Sequence, residues 1–210
     1  MIGEKQARPA TLNWDVLQIA QHDLSSLERN FSEQELRDAV FGLPNGKASG
    51  PDGFTSLFYK RCWTVIKHDL LSAINQLHEL RGRRWHLLNS AHISLLPKGE
   101  DACKIKDYRP ISLMHSVAKL VCKMLANRLA PFLHDMIPHS QSAYIKSRSI
   151  HDNYLYVRNA IKELHLKNRP ALFLKLDIAG AFDSVSWEYM LEVMERLGFG
   201  PRWRDLICLI

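Results

Sequence analysis

The stretch FLKLDIAGAFDSVSW (173–187) places a carboxylate where it could do chemistry. Asp177 stands near the end of ALFLKLDI (171–178), a mostly apolar run that is typical of a buried strand. A carboxylate in that position avoids the cost of desolvation only if it reaches a cleft, a hydrogen bond or a cation. Two-metal phosphoryl transfer uses such carboxylates, because Mg²⁺ requires tight octahedral geometry. An Asp that only caps a helix or forms a turn explains the same spacing, and spacing alone favours that explanation.

Two basic side chains, Lys98 and Arg109, border a charged loop. The loop joins the predicted strands HISLLPK (92–98) and DYRPISL (107–113), which together could form a hairpin. Residue types alone favour solvated hairpin charges, with Asp107 as a near neighbour.

Other residue types give weaker signals. The chain has four cysteines, none in a C-x-x-C pair, at Cys62, Cys103, Cys122 and Cys208. We expect free thiols, since nothing in the sequence favours a secretory setting. His134 and His139 lack the i,i+4 spacing of a helical metal pair, so surface or hydrogen-bonded histidines are favoured. The basic patch RGRRWH (81–86) is either a solvated helix end or a phosphate contact.

Composition excludes several classes of protein. With 46% hydrophobic residues in 210, the chain is not a long disordered segment, and 10 Gly and 9 Pro exclude collagen-like sequence. The sequence contains no uninterrupted run of about 18 apolar residues, the length that spans a membrane. We do not expect MIGEKQARPA to be a secretory signal or a transit peptide. The net charge is 28 − 22 = +6, a weak indication of polyanionic partners.

Periodicity and end signals predict mostly helices around the two short strands. Ser32 and Glu35 form a capping box at the start of the first helix. The predicted elements are a helix at 31–43, a turn region at 43–54, a long helix at about 55–80, a helix at 114–130 disrupted by Pro131, a polar segment at 140–153, a helix at 150–166, a buried strand at 171–178, a helix from Ser186 to Leu197 closed by Gly198, and a helix opened by Pro201.

Four segments, in order, resemble motifs of the reverse transcriptases of non-LTR (LINE-type) retrotransposons. The carboxylate stretch resembles their first palm motif, LD-x-x-x-AFD-x-V-x-W, and LPNGKASGPDGF (43–54) resembles their K-[AS]-x-GPDG loop. ISLLPKGEDACKIKDYRPISL (93–113) and HSQSAYIKSRSIHDN (139–153) resemble two successive fingers motifs. Four motifs in the family's order make a chance match remote, and the resemblance covers residues 31–210.

The resemblance implies roles in the palm. Asp177 matches the catalytic, metal-ligating Asp, and the backbone carbonyl of Ile178 matches a second ligand to the same ion. Phe182 matches the bulky residue beneath the incoming sugar, which excludes a 2′-hydroxyl. Asp183 matches a second Asp that is not a catalytic ligand, and we expect it to cap the following helix.

The resemblance also implies roles in the fingers. Lys98 and Arg109 match residues that grip the incoming triphosphate, and Arg148 matches a residue on the dNTP side. Gln141 and Lys146 match positions near template or nucleotide. The chain departs from the family at two positions, with Tyr144 where Phe is frequent and Gly180 where Lys or Arg is common.

The implied fold is α+β, with helix-rich fingers carrying a hairpin and a partial palm of a right-hand polymerase. We expect a weak-signal segment at 1–30, an N-terminal extension with fingers at 31–170, and the partial palm at 171–210. The implied function is Mg²⁺-dependent RNA-directed DNA polymerisation with RNA template, DNA primer and dNTP, in the nucleus or cytoplasm. The sequence has no Asp-Asp pair, so we expect this stretch to be inactive by itself. A degenerate remnant acting at most as an RNA-binding or interaction module is the alternative.

Overall fold

The computed structural model describes residues 13–79, 85–178 and 184–210. Its strands are β1 (Ala91–Pro97) and β2 (Tyr108–Met114). Its helices are α1 (Trp14–Leu17), α2 (Glu33–Phe41), α3 (Ser56–Arg61), α4 (Trp63–His78), α5 (Trp85–Leu88), α6 (Ser116–Met136), α7 (Ile150–Leu166), α8 (Trp187–Leu197) and α9 (Pro201–Leu209). Short 3₁₀ turns cover Ser25–Glu28 and Ile105–Asp107. The mixed α+β class is therefore confirmed.

The described chain forms two compact units. The larger unit contains residues 30–178 with 209–210, and the smaller unit contains residues 13–29 with 184–208. The smaller unit therefore draws on both ends of the chain. None of the described helices combines the length and the apolar composition that crossing a bilayer requires.

The core of the larger unit forms around α2, α4 and α6. Ser32 caps α2 and forms the predicted capping box with Glu35. The buried apolar side chains of these helices follow helical spacing, and they include Leu36, Ala39, Val40, Leu70, Ile74, Leu77, Leu120, Val121, Met124 and Leu125. Burial of apolar surface on this scale supplies the main stabilisation of the unit.

The single helix predicted at about 55–80 is wrong, because the chain breaks at Cys62 into α3 and α4. Cys62 has φ −90° and ψ 10°, and its N–H donates to the carbonyl of Phe58 at 2.9 Å. Tyr59 and Trp63, on either side of the break, are buried, whereas Leu57 and Val65 of the predicted stripe are exposed.

The predicted disruption at Pro131 is also wrong, because α6 runs through this residue to Met136. Proline removes one N–H donor from a helix and usually bends it. Here Pro131 is on the exposed side of α6, while Phe132 and Leu133 are partly buried and extend the apolar side. The helix ends at Ile137, whose N–H donates to the carbonyl of Leu133 at 3.1 Å.

The apolar run at 171–178 is not a strand, which overturns the prediction of a buried strand there. It has no regular secondary structure, and its side chains are exposed, with Leu172 at 91% and Leu176 at 80%. A strand that is apolar on both faces needs neighbouring strands and cover on each side. Within the described chain the one sheet is the β1–β2 hairpin, and it does not pair with this run.

The smaller unit buries the segment 13–29 against α8 and α9. Leu24, Leu27 and Trp203 are each 1% exposed. His22 donates its N–H to the carbonyl of Leu197 at 3.0 Å. Gly198 ends α8 as predicted, at φ +97°, where a Cβ would lie 2.4 Å from the His22 carbonyl oxygen. The sequence showed little signal in 13–29 because its contacts lie about 170 residues away.

The start of α8 lies at Ser186, as predicted. Ser186 caps this helix, and its hydroxyl accepts the N–H of Tyr189 at 3.3 Å. Asp183, the predicted cap, lies outside the described residues.

An ion pair between Arg128 and Glu35 joins α6 to the start of α2. Arg128 Nε and Nη2 donate to the two carboxylate oxygens at 2.5 and 3.0 Å, and Nη2 also donates to the Asn30 carbonyl at 2.8 Å. The guanidinium carbon lies 3.9 Å from the centre of the Phe31 ring. Burial raises the pKa of Glu35, but hydrogen bonds from Arg128 and Ser32 and the Arg128 charge outweigh it and lower the pKa to about 2.

This pKa predicts an acid-labile contribution to stability. Because the folded-state pKa is below the ordinary 4.5, the stabilisation is complete above pH 4.5 and is lost as the pH falls towards about 2. In Glu35→Gln, urea unfolding should show a lower free energy at neutral pH and a shallower decline between pH 5 and about 2. Glu163→Gln on the exposed side of α7 is the matched control, and an equal change there would contradict the assignment.

Candidate functional site

The predicted hairpin is confirmed. β1 and β2 are antiparallel, with Ala91 opposite Met114 at the base and Pro97 opposite Tyr108 at the open end. Pairing continues one residue further, since the Lys98 N–H donates to the Asp107 carbonyl at 2.8 Å.

The hairpin brings Lys98 and Arg109 to one face. Arg109 is directly opposite Leu96, and Leu96 shares its face with Lys98 two residues along the strand. Both cations are exposed. The Lys98 ammonium donates to the carbonyl of Lys106 at 2.5 Å, while no described residue pairs with the Arg109 guanidinium. The open end of the hairpin therefore presents two positive charges to solvent.

Asp107 holds the loop rather than neutralising these cations. Its carboxylate accepts the N–H groups of Lys104 at 2.8 Å and Cys103 at 3.3 Å. Tyr108 adds a second contact within the loop, from its hydroxyl to the Ala102 carbonyl at 3.1 Å. Among the described residues, Asp107 forms no ion pair with Lys98 or Arg109. The positive charge of this face is thus uncompensated.

The loop 43–54 supplies a group that sequence reasoning missed. The Asp52 carboxylate accepts the N–H of Ser116, the first residue of α6, at 2.7 Å. The Ser116 hydroxyl in turn donates to the Phe54 carbonyl at 2.6 Å. The GPDG sequence predicts a turn. The N–H group that the Asp52 carboxylate accepts is 64 residues away, so no local signal identifies Asp52 as a helix cap.

Arg148 closes the opposite end of α6. Its Nη1 donates to the carbonyls of Pro138 at 2.6 Å and Gln141 at 2.8 Å, and its Nη2 to those of His134 at 2.9 Å and Ile137 at 2.8 Å. A cation at a helix C-terminus also complements the helix dipole. Four main-chain acceptors occupy the terminal nitrogens, so this side chain shapes the segment that follows α6.

That segment, residues 137–149, presents several polar side chains. Asn153 donates to the Ser140 carbonyl at 3.1 Å and to the Ser142 hydroxyl at 2.9 Å. Tyr144 has φ +64°, which is uncommon for a bulky residue, and is 90% exposed. Gln141 and Lys146 are exposed as well.

Of the predicted palm residues, the structure describes Asp177 and Ile178. Asp177 and Ile178 lie in the exposed irregular run, and Phe182 is outside the described residues. Within the described ranges, no group of three or more His, Cys, Asp or Glu could hold a metal. One carboxylate and one carbonyl supply only part of an octahedral Mg²⁺ shell, so the described residues do not form a complete magnesium site.

Comparison with known proteins places these motifs in a family. The family described as "Reverse transcriptase (RNA-dependent DNA polymerase)" matches residues 96–208. The "Transposon TX1 uncharacterized 149 kDa protein" of Xenopus laevis is 31% identical over 194 residues, covering 90% of the chain and 14% of that relative.

Two further relatives are retrotransposon proteins. The "Retrovirus-related Pol polyprotein from type-1 retrotransposable element R2" of Nasonia vitripennis is 27% identical over 189 residues, covering 89% of the chain and 17% of the relative. The corresponding protein of the type-2 element R2DM of Drosophila melanogaster is 24% identical over 202 residues, with coverages of 96% and 18%. The chain spans less than a fifth of the length of each of these relatives.

The contacts of Arg148 predict a measurable structural contribution. Arg148→Ala removes four charge-assisted hydrogen bonds and should lower the free energy of unfolding by about 2 kcal/mol or more. Lys146→Ala, an exposed cation in the same segment, is the control and should stay within about 0.5 kcal/mol. Urea denaturation followed by circular dichroism measures both free energies of unfolding. Equal values for Arg148→Ala and Lys146→Ala would contradict a stabilising role of the Arg148 hydrogen bonds at the end of α6.

Proposed function

The chain belongs to the reverse transcriptase (RNA-dependent DNA polymerase) family, and from that premise we propose that it forms part of a LINE-type retrotransposon polymerase. Residues 31–170 correspond to an N-terminal extension with the fingers, and residues 171–210 to the first part of the palm, preceded by the segment 1–30. The reaction is templated nucleotidyl transfer, in which a primer 3′-hydroxyl attacks the α-phosphate of a dNTP.

The observation that carries this proposal is the pair of cations at the open end of the hairpin. Lys98 and Arg109 share one face, and Asp107 is turned into the loop. A triphosphate bears several negative oxygens, and an exposed guanidinium can bind two of them at once. We propose that these two side chains hold the triphosphate of the incoming nucleotide.

The palm roles remain proposals that rest on motif matching. Asp177 contributes one carboxylate and Ile178 a backbone carbonyl to a Mg²⁺ site, which needs further ligands from outside the described residues. Phe182 excludes a ribose 2′-hydroxyl by steric contact. The partners that follow are an RNA template and a DNA primer, in the nucleus or the cytoplasm.

For Arg148, the geometry supports an indirect contribution. Its terminal nitrogens are occupied by carbonyls, so it orders the segment that carries Gln141 and Lys146. The direct dNTP contact suggested by the motif stays a prediction.

Substitution of the hairpin arginine tests the triphosphate assignment. We would place residues 31–210 in an active full-length relative, in exchange for its matching segment, and measure primer extension. Arg109→Ala should raise the KM for dNTP about tenfold or more, because a charged hydrogen-bonded contact contributes about 1.5–3 kcal/mol. Arg61→Ala, an exposed arginine on α3, is the matched control, and Asp177→Asn should abolish extension. An unchanged KM in Arg109→Ala refutes the assignment.

A second candidate is RNA binding without catalysis, as expected of a degenerate remnant. The observation that favours it is the placement of Asp177 in an exposed irregular run rather than at a strand end. Such a chain needs only its basic surfaces to hold an RNA backbone.

This candidate predicts RNA binding by the 210-residue chain that is independent of dNTP. Fluorescence anisotropy should give a Kd of about 1–100 μM that weakens steeply between about 50 and 200 mM salt. Replacing Lys98 and Arg109 by Ala should reduce the slope of log K against log salt by about 0.7 for each lost phosphate contact. Salt-insensitive binding, or none at low salt, eliminates the candidate. Binding tightened by dNTP favours the polymerase assignment instead.

A further inference from the structure

The direction of the hairpin depends on its base. Most side chains of β1 and β2 are exposed, and those that are partly buried in β2 include Leu113 and Met114 at the base. An isolated two-stranded hairpin is only marginally stable in water. Because little packs along its length, contacts at the base must determine where the open end points.

Three segments meet at this base through one chain of polar side chains. Ser90 immediately precedes β1, and His115 immediately follows β2. The Ser90 hydroxyl lies 3.2 Å from His115 Nε2, and His115 Nδ1 lies 3.6 Å from the Asp52 carboxylate. The side chains of His115 and Asp52 are only 15% and 14% exposed, so this contact is shielded from water.

The loop that carries Asp52 is itself fixed against the end of β2. A Cβ on Gly50 would lie 2.0 Å from the Met114 carbonyl oxygen, so only glycine allows this approach. The Asp52 carboxylate also accepts the N–H groups of Phe54 at 3.2 Å and Ser116 at 2.7 Å. One carboxylate thus joins the loop, the hairpin and the first turn of α6.

We infer that Asp52 is a positioning residue that, through His115 and Ser90, sets the direction of the hairpin and so places Lys98 and Arg109. The inference rests on the proposed function only for the ligand, a polyphosphate. The order Asp–His–Ser also occurs in hydrolases, but the Ser90 hydroxyl donates to the Leu87 carbonyl at 2.9 Å. Its proton is directed away from His115, which suits a fixed contact rather than an activated nucleophile.

Electron–electron distance measurements test the inference directly. Cys103 in the exposed hairpin loop is a native labelling site, and Asn127→Cys on the exposed side of α6 provides the second label. The other three cysteines are replaced by Ala. The parent should give one narrow distance peak, and Asp52→Ala and His115→Gln should broaden it. Asp69→Ala, an exposed carboxylate on α4, is the matched control.

Asp52→Asn separates the Ser116 contact from the His115 contact and guards against loss of folding. The amide oxygen in the place of Oδ2 still accepts the Ser116 N–H, so α6 stays capped. The amide carries no charge for His115, and its NH2 group in the place of Oδ1 does not accept the Phe54 N–H. Circular dichroism confirms folding of each variant. The inference is overturned if the distance peaks of Asp52→Asn and His115→Gln, and of Asp52→Ala where it folds, are as narrow as the peak of the parent.

A ligand measurement separates this inference from the proposed function. Calorimetry with inorganic tripolyphosphate should show about tenfold weaker binding to Asp52→Asn than to the parent. If the distance peak broadens but the parent does not bind tripolyphosphate, the positioning role stands and the proposed triphosphate role of Lys98 and Arg109 fails. Equal affinity for parent and variant, with binding lost in Arg109→Ala, counts against the positioning role.

Discussion

The fold of the larger unit depends on how the two ends of α6 are satisfied. A helix leaves N–H groups unpaired at its start and carbonyls unpaired at its end. His115, which precedes α6, supplies no side-chain cap of its own, and Asp52 fills that place from the loop 43–54. At the other end Arg148 donates to the carbonyls of His134 and Ile137. It also donates to those of Pro138 and Gln141, just beyond the helix. The loop 43–54 and the segment 137–149 therefore each supply a side chain that binds main-chain groups at one end of α6.

This constraint links the structural and functional residues. Because α6 follows β2 after a single residue, capping the helix also anchors the hairpin that carries Lys98 and Arg109. Arg128, on the same helix, binds Glu35 and completes the α2 contact. The contacts that stabilise the larger unit lie away from the open end of the hairpin. Lys98 and Arg109 can therefore remain exposed and without a carboxylate partner among the described residues. Different residues thus carry the exposed and the engaged positive charges. Lys98 and Arg109 face solvent, whereas Arg128 and Arg148 bind groups within the unit.

Much of the local structure could be predicted from the sequence. The capping box at Ser32, the hairpin and the helix stop at Gly198 all depend on residues a few positions apart. The motifs also identified the family and the pair Lys98 and Arg109. The predictions failed where the local pattern did not show a break in the helix or the lack of a neighbouring strand. The helix at about 55–80 breaks at Cys62, and the run at 171–178 has no pairing strand in the described chain.

The sequence alone determined the helical periodicity, the turn chemistry and the order of the motifs, because neighbouring residues specify them. Only the tertiary structure decided what individual motif residues contact. Asp52 finds its partner 64 residues away, and Arg148 turns its guanidinium towards carbonyls rather than towards solvent. It also decided that residues 13–29 pack against α8 and α9, a contact across most of the chain. Long-range hydrogen bonds and burial leave no mark on local spacing, because either partner alone looks like an ordinary surface residue.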